Sequence, residues 1–163
     1  MQNDPLWLIE ARKYLGVREI PGVNHNPLIL RMWKAIKRGG IQDDETPWCA
    51  AFVGFCLENI GVQSTRFESA ASYLKWGTSL AEPVRGCVAV FTRNGGGHVG
   101  FVTGVDSAGR LLVLGGNQGN EVNVRAFPRD RLAPDGLRWP VGVALPDGPS
   151  LAVGAAPTTS GEA

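Results

Sequence analysis

Two residue types in this chain are suited to acyl transfer, and a third stands where it can assist them. The chain carries three cysteines, Cys49, Cys56 and Cys87, and two histidines, His25 and His98. An odd cysteine count without ligand-like pairing matches neither a disulfide framework nor a zinc site. Cys49 and Cys56 lie seven positions apart, about 10 Å along a helix at ~1.5 Å per residue, which is beyond disulfide reach. The cysteines are therefore read one at a time. Cys56 stands between Phe55 and Leu57, and Cys87 leads an apolar run, so both read as small buried hydrophobes.

Cys49 has a different setting. In Thr46-Pro47-Trp48-Cys49-Ala50-Ala51-Phe52-Val53, Thr46 is a good helix cap and proline is favoured at the first helical position. Counted from that cap, Cys49 falls in the first turn of a helix. Backbone N–H groups and the positive end of the dipole there favour the thiolate, the nucleophilic form. The same N–H groups suit an oxyanion that develops as a carbonyl becomes tetrahedral.

His98 follows Gly95-Gly96-Gly97 and starts a β-type run, which makes it the better placed of the two candidate bases; His25 lies in a loop beside Asn26-Pro27. Asn117 ends the next β-run, within Gly115-Gly116-Asn117-Gln118-Gly119-Asn120. In an antiparallel hairpin the start of one strand faces the end of the next, so His98 and Asn117 are expected to be neighbours. An amide oxygen that accepts from the imidazole would fix its orientation, the part of the third member of a triad. Trp48 and Trp76 are the aromatic candidates for lining a substrate groove.

Helices must carry the cysteine and strands the histidine. Apolar spacing predicts helices over 5–15, from Asn26-Pro27 to Gly39-Gly40, over 47–60, and from near Glu68 to Trp76. Strands are expected at Cys87–Phe91, His98–Val105, Leu111–Leu114, Val122–Phe127 and Val141–Leu145. Helices first and closely connected strands second give an α+β fold with a C-terminal antiparallel sheet. Residues 1–146 read as one domain. The stretch 147–163 has little bulk with which to pack and reads as a mobile tail.

Composition narrows the function classes. The chain has 163 residues, 44% of them hydrophobic and 19% charged, with a net charge of +1. Residues 1–40 hold seven Lys or Arg against three acids, whereas residues 41–70 hold five acids against Arg66 alone. No basic run with interleaved aromatics supports nucleic-acid binding. No apolar stretch approaches the roughly 18 residues of a membrane span. The N-terminus lacks the basic and apolar regions of a secretory signal. Asp43, Asp44 and Glu45 lack the spacing of a calcium loop, so no metal and no other cofactor is expected.

The segments Glu45–Val53, Gly97–Val102 and Gly116–Gln118 resemble papain-like peptidoglycan hydrolases, in particular the CHAP (cysteine, histidine-dependent amidohydrolase/peptidase) and NlpC-type families and their small phage endolysin-like members. The resemblance implies a papain-like fold with Cys49 as nucleophile, His98 as base and Asn117 as orienter. It implies cleavage of an amide bond in the cell-wall peptide, either by an endopeptidase or by an N-acetylmuramoyl-L-alanine amidase. The alternatives are an acyl or amide transferase with the same triad and an inactive wall-binding module. Many CHAP enzymes carry Glu two positions before the Asn; here that position is Gly115. The expected partner is the stem peptide or glycan of peptidoglycan, met by a monomer. The protein would be made in the cytoplasm and delivered to the wall by a holin, a phage tail or a secretion system.

Overall fold

The computed structural model describes residues 4–93, 96–147 and 151–159. Three helices precede the sheet: α1 (Leu6–Arg12), α2 (Pro27–Ala35) and α3 (Cys49–Asn59). Strands follow: β1 (Thr78–Ser79), β2 (Val88–Arg93), β3 (Gly96–Val105), β4 (Leu111–Gly115), β5 (Asn123–Phe127) and β6 (Leu132–Trp139). They form one six-stranded antiparallel sheet in the order β1-β6-β2-β3-β4-β5. The fold is α+β, as the pattern predicts. No helix among the described residues is long and apolar enough to cross a membrane.

Helix α3 is the axis of the core. Every residue from Cys49 to Leu57 is buried, as expected of a helix that is apolar on all sides. One side meets the sheet, where Phe52 packs edge-on against Phe101 of β3. Another side meets Tyr14, just beyond α1, which contacts both Phe52 and Phe55. Gly54 lets Ile36, at the end of α2, press against the helix: a Cβ there would collide with the Ile36 side chain. Helix α2 begins as its sequence predicts, with the Asn26 side chain accepting from Leu28 N–H at 2.9 Å and Pro27 at the first position.

Three local expectations are corrected. Helix α3 starts at Cys49, with Trp48 as its cap residue, so Thr46 is not the cap. Asp43 accounts for this: its side chain accepts from the N–H groups of Glu45 and Thr46 and from the Thr46 hydroxyl, closing a turn upstream of the helix. The fourth helix is a 3₁₀ segment, Ala70–Lys75, capped by Ser69. Residues 141–145 form no strand; Val141, Val143 and Leu145 are exposed after Pro140.

The last strand is instead β6. Its Ala133-Pro134-Asp135-Gly136 reads as a turn, yet a register shift between Ala89 and Phe91 of β2 and a φ of 58° at Asp135 absorb it as an irregularity. In the C-terminal stretch, residues 151–159 make backbone hydrogen bonds with Val105 and Ala126, and Leu151 packs against the core. The remainder of the expected tail, 148–150 and 160–163, lies outside the described residues, as does Gly95.

Candidate active site

The site is built where α3 and β3 begin and β4 ends. Cys49 is the first residue of α3. Phe52 N–H donates to Trp48 O at 2.9 Å as the first rung of the helix ladder, so the N–H groups ahead of it belong to the open end of the helix. Of the three cysteines Cys49 alone keeps any surface, 4% against 0% for Cys56 and Cys87. Burial pushes the Cys56 thiol well up and the Cys87 thiol up to about 12. Those two thiols resist ionisation, which matches their reading as hydrophobes.

His98 lies near the start of β3, paired with Phe91 of β2 and fully buried. Its ring stacks on Phe127 of β5 with centroids 5.2 Å apart and planes 9° from parallel, and Phe91 stacks on the same phenyl ring at 4.5 Å. The aromatic stack fixes the plane of the imidazole, while a hydrogen bond fixes its rotation. His98 Nε2 lies 2.9 Å from Gln118 Oε1.

Between the helix start and the histidine run Gly115 and Gly116. A Cβ on Gly116 would lie 2.6 Å from Trp48 and 2.7 Å from Phe52, while one on Gly115 would lie 3.3 Å from His98 Nε2. The pair is therefore the spacer that lets the first turn of α3 and the β3 histidine approach the same turn. The close approach leaves no room for a Cβ at 116, and a side chain at 115 would have to displace the Gln118 amide.

Cys49 begins α3, His98 lies near the start of β3, and Asn117 follows the end of β4. The β3–β4 pairing of Phe101 with Leu114, run on three positions in each strand, arrives at His98 and Asn117. Strand β4, however, stops at Gly115, and the chain turns through left-handed backbone at Asn117, Gly119 and Asn120, with φ of 59°, 68° and 64°. Asn117 is buried in this turn. Gln118 also turns inward, and it supplies the oxygen against His98 Nε2.

The two tryptophans differ in exposure: Trp76 borders a cleft with Val62, Gln63, Gly77, Pro140 and Val141, and Trp48 does not reach the surface. Trp48 is fully buried, with its ring against Gly116 and its Nε1 donating to Glu19 Oε2 at 2.9 Å. It packs the site from within, a correction to its reading as a groove lining. Trp76 is half-buried, donates to Gln63 O at 2.9 Å and packs on Tyr73. The cleft that adjoins the turn is lined instead by Arg18, Glu19, Ile20, Pro21, Glu45, Gly119 and Asn120. Burial, together with the nearby Asp44, Glu45 and Asp43, raises the Glu19 carboxyl above its ordinary value, although the Trp48 N–H opposes the shift. Glu19 and Gln118 were the residues hardest to find by spacing. Glu19 precedes a Pro-Gly loop, and Gln118 is masked by the more obvious Asn117 beside it.

One cluster of described residues has metal-ligating atoms in reach of one another: His25, Asp44 and Glu45, all within 4.8 Å. Asp44 Oδ2 accepts from Ile20 N at 2.7 Å and Asn26 N at 2.9 Å, and Oδ1 lies 3.0 Å from His25 Nδ1. Calcium seeks six to eight oxygens. An imidazole and a carboxylate already engaged by three protein groups do not fit it.

With this geometry in view, comparison with known proteins gives a focused result. No curated protein and no solved structure matches the chain. Residues 41–117 match the CHAP domain family, a span that holds Cys49, His98 and Asn117 and ends one residue before Gln118. Such a domain supports hydrolase or amidase-type activity on peptidoglycan in general. The matched span thus brings together a cysteine at a helix start and a histidine on a strand that packs against that helix, and what the chain is similar to is the CHAP domain family.

Proposed function

We propose that this protein is a cysteine-dependent peptidoglycan hydrolase that cuts an amide bond of the cell-wall peptide, in the manner of an endolysin. The observation that carries the reading is the meeting of the α3 start and His98 on either side of Gly115-Gly116, inside the CHAP match. Cys49 Sγ attacks the amide carbonyl carbon as His98 takes the thiol proton. The carbon–nitrogen bond then breaks, and the amine leaves with the proton that His98 returns. Water, deprotonated by His98, attacks the thioester, which releases the acid and restores the thiol. N–H groups at the start of α3 supply part of the oxyanion hole. The cleft between Arg18–Pro21, Glu45 and Gly119–Asn120 receives the peptide strand.

The test is digestion of purified sacculi with the full chain, followed by mass spectrometry of the soluble fragments. A new amine and carboxylate at one wall-peptide bond is the expected result, and it identifies that bond. Cys49→Ala should abolish release, whereas Cys56→Ala and Cys87→Ala should keep most of it. Equal loss from all three at unchanged folding would remove Cys49 from the nucleophile's role. Acting from within the periplasm, the protein should lyse permeabilised cells and leave intact ones largely untouched.

A further inference from the structure

We propose that Gln118 is the positioning residue for His98, holding the imidazole proton on Nε2 so that Nδ1 is the nitrogen that exchanges a proton with substrate and thiol. The inference rests on the cysteine-hydrolase reading above. It assigns to a side chain outside the CHAP match the task that spacing gives to Asn117.

The amide of Gln118 has one orientation. Its Nε2 donates toward Val113 O at 3.2 Å, Asn123 O at 3.0 Å and Asn123 Oδ1 at 2.9 Å. Two of these are backbone carbonyls, which only accept. A flipped amide would set Oε1 against both of them. Oε1 therefore faces His98 Nε2, which must bear the hydrogen. Asn123 completes the frame, donating from Nδ2 to Gln118 O at 2.7 Å and to Glu121 Oε1 at 2.9 Å. Gln118 N–H in turn donates to Glu121 O at 3.0 Å. The turn is tied at both its backbone and its side chains, so the oxygen presented to the imidazole is held in place.

The space beside Nε2 admits one side chain. A Cβ at position 115 would run into Gln118 Oε1 and lie 3.3 Å from His98 Nε2. Gln118 thus fills, from three residues further along, the place that a side chain at 115 would enter. It fills it with an amide for a reason visible in its surroundings: a carboxylate there would point its second oxygen at Val113 O and Asn123 O with no hydrogen to offer. Gln118→Glu is therefore not a conservative change at this site.

The test is nitrogen NMR of the ring on the full chain labelled with ¹⁵N-histidine, at a pH where His98 is neutral, with His98→Gln to assign the two imidazoles. The wild type should show His98 as one tautomer, protonated on Nε2. A proton on Nδ1 overturns the proposal without recourse to any variant. Gln118→Met, similar in length, should give mixed tautomers and lower kcat by on the order of tenfold with KM little changed. Gln118→Glu should also lose the single tautomer and a similar share of kcat. Asn117→Ala should keep the Nε2 proton. Folded Gln118→Met or Gln118→Glu with wild-type tautomer and kcat would overturn the assignment, as would loss of the tautomer in Asn117→Ala alone. The ring spectrum needs no substrate, so a wild type that leaves peptidoglycan uncut refutes the hydrolase reading separately.

Discussion

The loop that holds His25 and the strand that holds His98 each bring an imidazole nitrogen to about 3 Å from a side-chain oxygen, but the partners differ in kind. His25 faces the Asp44 carboxylate at 3.0 Å, and His98 faces the Gln118 carboxamide at 2.9 Å. A histidine–carboxylate pair is the more familiar sign of catalysis, yet here it is a clamp. Asp44 is fully buried and also binds the backbone of Ile20 and Asn26, which ties the 18–26 loop to the acidic loop before α3. His98 has instead a ring plane set by Phe127 and a neutral acceptor that cannot take its proton. The pair whose anion is consumed by structure is thus distinct from the pair to which the proposed chemistry is assigned.

The largest effect should separate the two rings outright. His98→Ala is expected to lower turnover on a soluble peptidoglycan fragment by about 10² to 10⁴, the usual worth of general acid–base help. His25→Ala should keep kcat within about threefold and lower the thermal midpoint instead. Steady-state rates and melting curves on both variants make the comparison. A His25→Ala protein that is folded but as silent as His98→Ala would end the distinction between the two histidines.

The next effect is on stability and falls at acid pH. Burial alone would raise the Asp44 carboxyl, but the N–H groups of Ile20 and Asn26 and the His25 ring outweigh it, and the net shift is downward. A carboxyl held below its unfolded value of 3.8 contributes stability that is complete above that value and fades as pH falls through the folded one. Asp44→Asn should thus cost on the order of 1–3 kcal/mol at neutral pH, with the gap from wild type closing below about pH 4. Urea midpoints across pH measure this. A gap that widens toward acid would show that the clamp does not act through the charged carboxylate.

The contrast also explains what the sequence lets a reader see. Strands β2 to β5 were legible because each buries an alternating or continuous apolar run, and α2 because Asn26-Pro27 announces its start. Strand β6 was not, since Pro134-Asp135-Gly136 has the composition of a turn and only its pairing with β2 makes it a strand. Cys49 and His98 stand out in the sequence as candidates because their types are scarce and their settings distinctive. The Thr46 cap was misplaced by two residues, because Asp43 draws the Glu45 and Thr46 N–H groups and the Thr46 hydroxyl into a turn of their own. Gln118 was hidden for a deeper reason: strand register leads to position 117, and only the left-handed turn that begins there carries the next side chain back to the histidine.

The smallest expected effect is none, and it tests whether the clamp is only a clamp. His25, Asp44 and Glu45 place ligand atoms within 4.8 Å of one another, next to the loop that leads into α3. Were a cation held there, the His25 region would join the site electrostatically and the two histidines would no longer be separate. The donor set argues otherwise. Both Asp44 oxygens are engaged by protein groups, and Asp43 is taken up by Glu45 and Thr46. A calcium ion would have to displace the hydrogen bonds that close these loops before it found its six to eight oxygens. Dialysis against a chelator should therefore leave kcat, KM and the thermal midpoint unchanged. Loss of activity that calcium restores, paired with a rise in melting temperature on adding it, would make the 18–26 loop part of the catalytic apparatus.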